Sequence, residues 1–151
     1  MKETVRVAVI DIGTHSIKLL IAEEAESDIR ILESLKNLAP LGKDTFYKGR
    51  ITQETINRAV AILEKYAEKI KEYSVSNVIV IATTAVREAR NREMFIDTIS
   101  RRTCFNIEVL TVGDVIYYID AYLHRKLKDK YPIHEKNVLI AELGAGSLDV
   151  S

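Results

Sequence analysis

At 151 residues, the chain suits one compact α/β domain with a real hydrophobic core. Lys and Arg (22) balance Asp and Glu (22), so no global field steers it toward nucleic acid or an anionic membrane. Hydrophobic residues at 47% and charged residues at 29% are ordinary for a soluble globular protein. No apolar run approaches the roughly 18 residues needed to cross a bilayer.

The first residues lead straight into a strand-like run and leave no room for a signal peptide, so a cytoplasmic protein is expected. Residues 5–11 (VRVAVID) are apolar on both sides, the mark of a central strand covered by helices. Gly13 and Thr14 break it, residues 16–22 give a second strand, and 29–38 a third, with Ile29, Ile31 and Leu35 alternating against Arg30, Ser34 and Lys36. Short turns make these three an antiparallel meander.

The period then changes. Ile56, Val60, Leu63, Ala67 and Ile70 recur at four, three, four and three residues, the stripe of an amphipathic helix ending near Tyr73. Thr52 is its expected N-cap, with Glu54 facing the positive helix end. Residues 78–82 (VIVIA) form a strand, followed by a helical stretch broken near Asn91, which is placed to cap the second piece through Ile99. Residues 107–110 are a short strand, and Ile116, Ile119, Leu123 and Leu127 mark a last helix whose basic end, from Arg125 to Lys130, complements the helix dipole. Residues 137–143 are a strand running into Gly144, Ala145, Gly146 and Ser147, and 148–151 look like a strand beginning. Strand–helix alternation after residue 50 implies right-handed crossovers and parallel pairing with the first strand. The sum is an α/β, ribonuclease H-like lobe: a five-stranded mixed sheet with helices on both faces. It occupies residues 1–136, with 137–151 leading into a second lobe. The single Cys104 is expected to be a buried or half-buried thiol.

Two segments suit phosphate chemistry. In Asp11-Ile12-Gly13-Thr14-His15-Ser16 a carboxylate at a strand end precedes a tight turn. Gly13 allows close approach of backbone to a ligand or a positive φ, the next three residues supply hydroxyl and amide donors, and Asp11 suits a hydrated divalent cation. Glu142-Leu143-Gly144-Ala145-Gly146-Ser147 repeats the form after another buried strand. Together the two hairpins are expected to converge on one phosphate-sized space, with Asp11 and Glu142 flanking a metal or a water.

The segment 9–21 (VIDIGTHSIKLLI) resembles the first phosphate loop of the exopolyphosphatase / guanosine pentaphosphate phosphohydrolase family, within the actin-like ATPase superfamily. Residues 82–95 (ATTAVREARNREMF) are similar to that family's most distinctive internal segment, and the spacing from Leu41-Gly42 through Gly49-Arg50-Ile51-Thr52 also fits. The resemblance implies two lobes with a cleft between them. It also implies Mg²⁺-dependent release of phosphate from polyphosphate or guanosine pentaphosphate. By it, Gly13, Thr14, His15, Ser16, Arg87, Gly144, Ala145, Gly146 and Ser147 bind phosphate, Asp11 and Glu142 hold the metal, and Asp114 and Glu142 are catalytic.

The chain departs from the family pattern at several positions. Glu142 stands where Asp is usual, Ala145 interrupts a glycine run, Leu148 replaces Thr, His15 replaces Asn, and Pro40 stands where Arg is common. Asp114 aligns with a catalytic Glu, but Thr111-x-x-Asp114 also reads as a helix-capping box, and both readings stay open. Arg87 is either a phosphate ligand or a helix-surface ion pair, and Lys18 points to solvent in the simplest reading. Besides a hydrolase lobe, the residues fit a phosphate-binding sensor that has lost hydrolysis, or an actin-like ATPase or small-metabolite kinase, which the 87–95 segment disfavours. Without its C-terminal lobe the chain is expected to be inactive, and a homodimer through surface normally covered by that lobe is possible.

Overall fold

The computed structural model of the chain describes residues 5–25, 28–127, 130–131, 139–145 and 148–150. Two compact units divide it, Met1–Val109 and Leu110–Ser151. In the first, strands β1 (Arg6–Ile12), β2 (Ser16–Ala25), β3 (Asp28–Leu38), β4 (Asn77–Ala82) and β5 (Ile107–Val109) form one sheet in the order β3-β2-β1-β4-β5. The β1–β2 and β2–β3 pairs are antiparallel, whereas β1–β4 and β4–β5 are parallel. The expected meander with two added parallel strands is present.

Because successive strand residues face opposite ways, Ala8, Ile10 and Ile12 of β1 share a side with Ile17, Leu19 and Ile21 of β2 and with Val80 and Ala82 of β4. All are buried in a single core. Helices α1 (Leu41–Lys48), α2 (Gln53–Glu72), α3 (Thr84–Arg87) and α4 (Arg92–Thr103) send their buried side chains into that same core. On α2 the buried stripe is Ile56, Ala59, Val60, Leu63, Tyr66 and Ile70. Val7 and Val9, on the other side of β1, are only half-buried, so the strand alternates in burial rather than being uniformly enclosed as its composition suggested.

Thr52 caps α2, its hydroxyl accepting from the Thr55 N–H at 3.5 Å. Asn91 sits at the N-cap position of α4 but makes no side-chain cap. Its side-chain oxygen instead accepts from the Ile51 N–H at 2.9 Å, and its amide nitrogen donates to the Ile51 carbonyl at 2.8 Å. Cys104 is exposed, not buried, because it sits past the last turn of α4 as its C-cap, in a left-handed conformation (φ 59).

Helix α1, which the sequence pattern did not show, ends at Gly49 in the left-handed region (φ 70). Its Asp44 carboxylate is buried and accepts from the Lys48 ammonium at 2.8 Å and from the Thr52 N–H at 3.0 Å. Burial works against the charge, but hydrogen bonds from Lys48, Thr52 and Thr55 outweigh it and hold the carboxyl well below the usual range. A depressed folded pKa means this stabilisation is complete above the unfolded value of about 3.9 and is lost as pH falls through the folded value. Asp44→Asn is therefore expected to flatten the loss of stability below about pH 4, read by urea melts at pH 7 and pH 3. Parallel acid limbs for parent and variant would remove Asp44 from this role.

The second unit holds α5 (Val112–Leu127) and a hairpin of β6 (Ala141–Leu143) with β7 (Leu148–Val150). Ile116, Ile119, Leu123 and Leu127 line the half-buried side of α5, as their spacing required. His124, Arg125 and Lys126 occupy its last turn. Strand β6 starts at Ala141, later than expected; of the earlier positions, 137–138 lie outside the described residues. Its Ala141 and Leu143 are exposed, so the second glycine turn does not follow a buried strand. A hairpin of two strands has no inner layer of its own to bury them.

Candidate phosphate-binding site

The turn between β1 and β2 is built by main-chain bonds that all engage carbonyls. The Ser16 carbonyl accepts from the Gly13 N–H at 3.0 Å, closing the hairpin. The Ile12 carbonyl accepts from Thr83 N–H at 3.2 Å, that of Thr14 from Gly42 N–H at 2.8 Å, and that of His15 from Ala39 N–H at 3.0 Å. The N–H groups of Thr14 and His15 donate to nothing among the described residues. The turn thus engages four of its carbonyls and leaves two adjacent main-chain donors without a partner among the described residues, and successive backbone N–H groups in a turn are groups that suit an anion. Gly13 is not in the left-handed region; a Cβ there would sit 3.2 Å from the Ser16 carbonyl oxygen, so the tight turn favours a residue without one.

Asp11, next to last in β1, has its carboxylate 31% exposed, and Lys18, its cross-strand partner, places Nζ 3.2 Å from Oδ2. Lys18 thus reaches the site instead of pointing only to solvent. Hairpin arithmetic carried this signal: closing the turn from Gly13 to Ser16 puts Ile12 opposite Ile17 and Asp11 opposite Lys18. His15 is exposed, Thr14 half-buried and Ser16 buried.

The Thr83 bond to Ile12 brings the β4–α3 turn beside the hairpin, and with it the start of α3. On α3, Arg87 donates from Nε to Glu88 Oε1 at 3.2 Å and from a terminal nitrogen to the Thr84 hydroxyl at 3.4 Å. The ion-pair reading of Arg87 is therefore present in the structure.

Asp114, at the start of α5, forms a capping box. Its Oδ2 accepts from the Thr111 N–H at 2.8 Å and hydroxyl at 2.7 Å, and its own N–H donates back to the Thr111 hydroxyl at 3.2 Å. The Thr111 hydroxyl and N–H hold this carboxyl below its ordinary pKa. In the second hairpin Glu142 is half-buried opposite Asp149, Gly144 follows β6 and Ala145 lies in a bend. Gly146 and Ser147 lie outside the described residues. Among the described residues there is no cluster of three or more His, Cys, Asp or Glu side chains placed to hold a metal, and no helix is long and apolar enough to cross a membrane.

Comparison with known proteins gives a consistent result. Residues 20–151 match the Ppx/GppA phosphatase family. A bifunctional 3-dehydroquinate synthase/phosphatase of Fusobacterium nucleatum is 33% identical over 154 residues, covering 94% of this chain and 22% of that protein. Exopolyphosphatase 2 of Mycobacterium tuberculosis is 35% identical over 94 residues, covering 60% of this chain and 30% of the relative. Among solved structures, the Ppx/GppA family member of Aquifex aeolicus superposes with a TM-score of 0.77 at 27% identity, over 97% of this chain and 46% of that one. An exopolyphosphatase from Cytophaga hutchinsonii gives 0.67 at 35% identity, over 70% and 34%. The chain spans less than half the length of each of these proteins. The fold is that of an actin-like ATPase lobe, as the resemblance at residues 9–21 and 82–95 implied.

Proposed function

The chain belongs to the Ppx/GppA phosphatase family, and from that premise we propose that it supplies one lobe of a hydrolase releasing terminal phosphate from inorganic polyphosphate or guanosine pentaphosphate. The observation that carries this reading is the polarity of the first hairpin. Four carbonyls are engaged by Thr83, Gly42, Ala39 and Gly13, and the N–H groups of Thr14 and His15 remain to donate to phosphate oxygens beside the Asp11 carboxylate. In this reading Gly13, Thr14, His15 and Ser16 cradle phosphate, Gly144, Ala145, Gly146 and Ser147 act likewise in the second hairpin, and Arg87 adds a rigid donor fork.

The donor set at Asp11 fits Mg²⁺ in its usual form. A single partly exposed carboxylate, paired with Lys18, stands beside the first hairpin turn, and Mg²⁺ usually takes one or two carboxylates and keeps water and substrate phosphate for its other positions. Asp11 and Glu142 are the proposed holders, and the ion would supply neutralisation of phosphate charge. Water attacks the terminal phosphorus, the phosphoanhydride P–O bond breaks, and the water proton passes to a carboxylate, for which Asp114 and Glu142 are the candidates.

The test is phosphate release from polyphosphate by the full-length protein with Mg²⁺. Release is expected, and Asp114→Asn is expected to slow it on the order of a hundredfold if that carboxylate takes the proton. A lowered melting temperature with turnover within about twofold would leave Asp114 as a cap alone. That cap, which occupies Oδ2, favours a second reading, a phosphate-binding sensor. Tight binding of polyphosphate with no release would establish the sensor in place of the hydrolase.

A further inference from the structure

Helix α1 begins without a side-chain cap, since Pro40 at its N-cap position has none to offer. Early N–H groups of a helix need acceptors from outside, and one comes from the first hairpin: Gly42 N–H donates to the Thr14 carbonyl at 2.8 Å, while Ala39 N–H, just before the helix, takes the His15 carbonyl at 3.0 Å. Helix start and hairpin therefore satisfy each other.

This contact demands a glycine for reasons of space. A Cβ at position 42 would overlap Thr14 Cγ2 and lie 3.0 Å from Phe46 Cε2 and 3.2 Å from the Thr14 carbonyl oxygen. Gly42 is buried inside a helix and is not left-handed, so its backbone would accept any residue, and alanine would favour the helix more. A residue that weakens its own helix and is required by a neighbour points to that neighbour.

We propose that Gly42 is a positioning residue for the first hairpin. Its missing side chain lets α1 dock on Thr14, and the docking turns the Thr14 and His15 carbonyls inward so that the two amides face out. This rests on the reading of that hairpin as a phosphate-binding loop, and the test separates the two claims. Amide resonances of Thr14 and His15 are compared, without ligand, in the wild-type chain, Gly42→Ala, Thr14→Ser and the double variant. Inorganic tripolyphosphate is then titrated into each.

Gly42→Ala is expected to move both resonances while those of Phe95 and Ile99 stay in place, and to weaken tripolyphosphate binding at least about tenfold. Thr14→Ser keeps the hydroxyl and removes the overlapping methyl, so in the double variant the resonances return toward wild type and affinity recovers to within about threefold. Unmoved resonances in Gly42→Ala, or a double variant no closer to wild type, would overturn the proposal. If Gly42→Ala does not fold, a folded double variant supports it and an unfolded one refutes it. Tripolyphosphate that leaves the wild-type amides unmoved would defeat the phosphate reading alone, because the ligand-free resonances still judge the docking.

Discussion

Asp11→Asn in the full-length protein is expected to slow phosphate release from polyphosphate at least about a hundredfold while changing the melting temperature by no more than about 2 °C. The two halves of this expectation have separate causes. The carboxylate lies near the end of a central strand, beside the hairpin turn proposed to hold phosphate, and phosphoryl transfer depends on placed charge more than on covalent help from the protein. Asparagine keeps the shape and removes the charge. Stability should hardly respond, because its side-chain partner among the described residues is Lys18 at 3.2 Å, with the two side chains 31% and 54% exposed. Such pairs contribute about 0–1 kcal/mol. Asp11→Glu restores charge but moves it by a methylene, so an intermediate rate is expected. Turnover of Asp11→Asn within about threefold of the parent, with an unaltered Mg²⁺ dependence, would exclude Asp11 from the site.

The largest expected change in stability is at Phe95. Its ring lies at 0% exposure in the core shared by α2, α4 and the sheet. Truncation to alanine removes its transfer free energy and leaves a cavity, costing about 3–5 kcal/mol. Domains of ordinary stability have about 5–15 kcal/mol in all, and in a chain of this length each kcal/mol moves the midpoint by about 2–4 °C. A fall of about 6–20 °C is expected in thermal melts. Its neighbour Met94 is 48% exposed, and Met94→Ala should cost less than about 1 kcal/mol. Equal losses at the two positions would contradict the packing described here.

What could be read from the sequence followed from strong periodicity. The α2 stripe, the meander and the parallel addition of β4 each rest on apolar spacing that tertiary packing reinforces. Helix α1 was hidden because eight residues bounded by Pro40 and Gly49, with another glycine at 42, carry little helical preference. It exists through its contacts: the Thr14 carbonyl at its start and the Thr45 hydroxyl donating to the Ala85 carbonyl at 2.8 Å. Asn91 looked like a cap because asparagine favours that position, yet a partner 40 residues away took its side chain. Likewise the two glycine turns look alike in sequence, but only the first follows a strand with a buried side. Local signals describe what a residue prefers; the engaged carbonyls of the first hairpin depend on two other segments, one holding Ala39 and Gly42 and one holding Thr83.

Three of these long-range bonds share one separation: Thr45 to Ala85, and Ile51 to Asn91 twice, are each 40 residues apart. The intervening stretch is thereby stapled at both ends, with its exposed tip at Ser74 and Ser76. A proteolytic nick at that tip would leave two fragments still clasped, and new termini or an inserted module placed there would leave the hairpin's supports untouched. One residue added between Gly49 and Thr52 would instead draw Ile51 away from Asn91, so length variation belongs at the far end of the staple and not at its hinge.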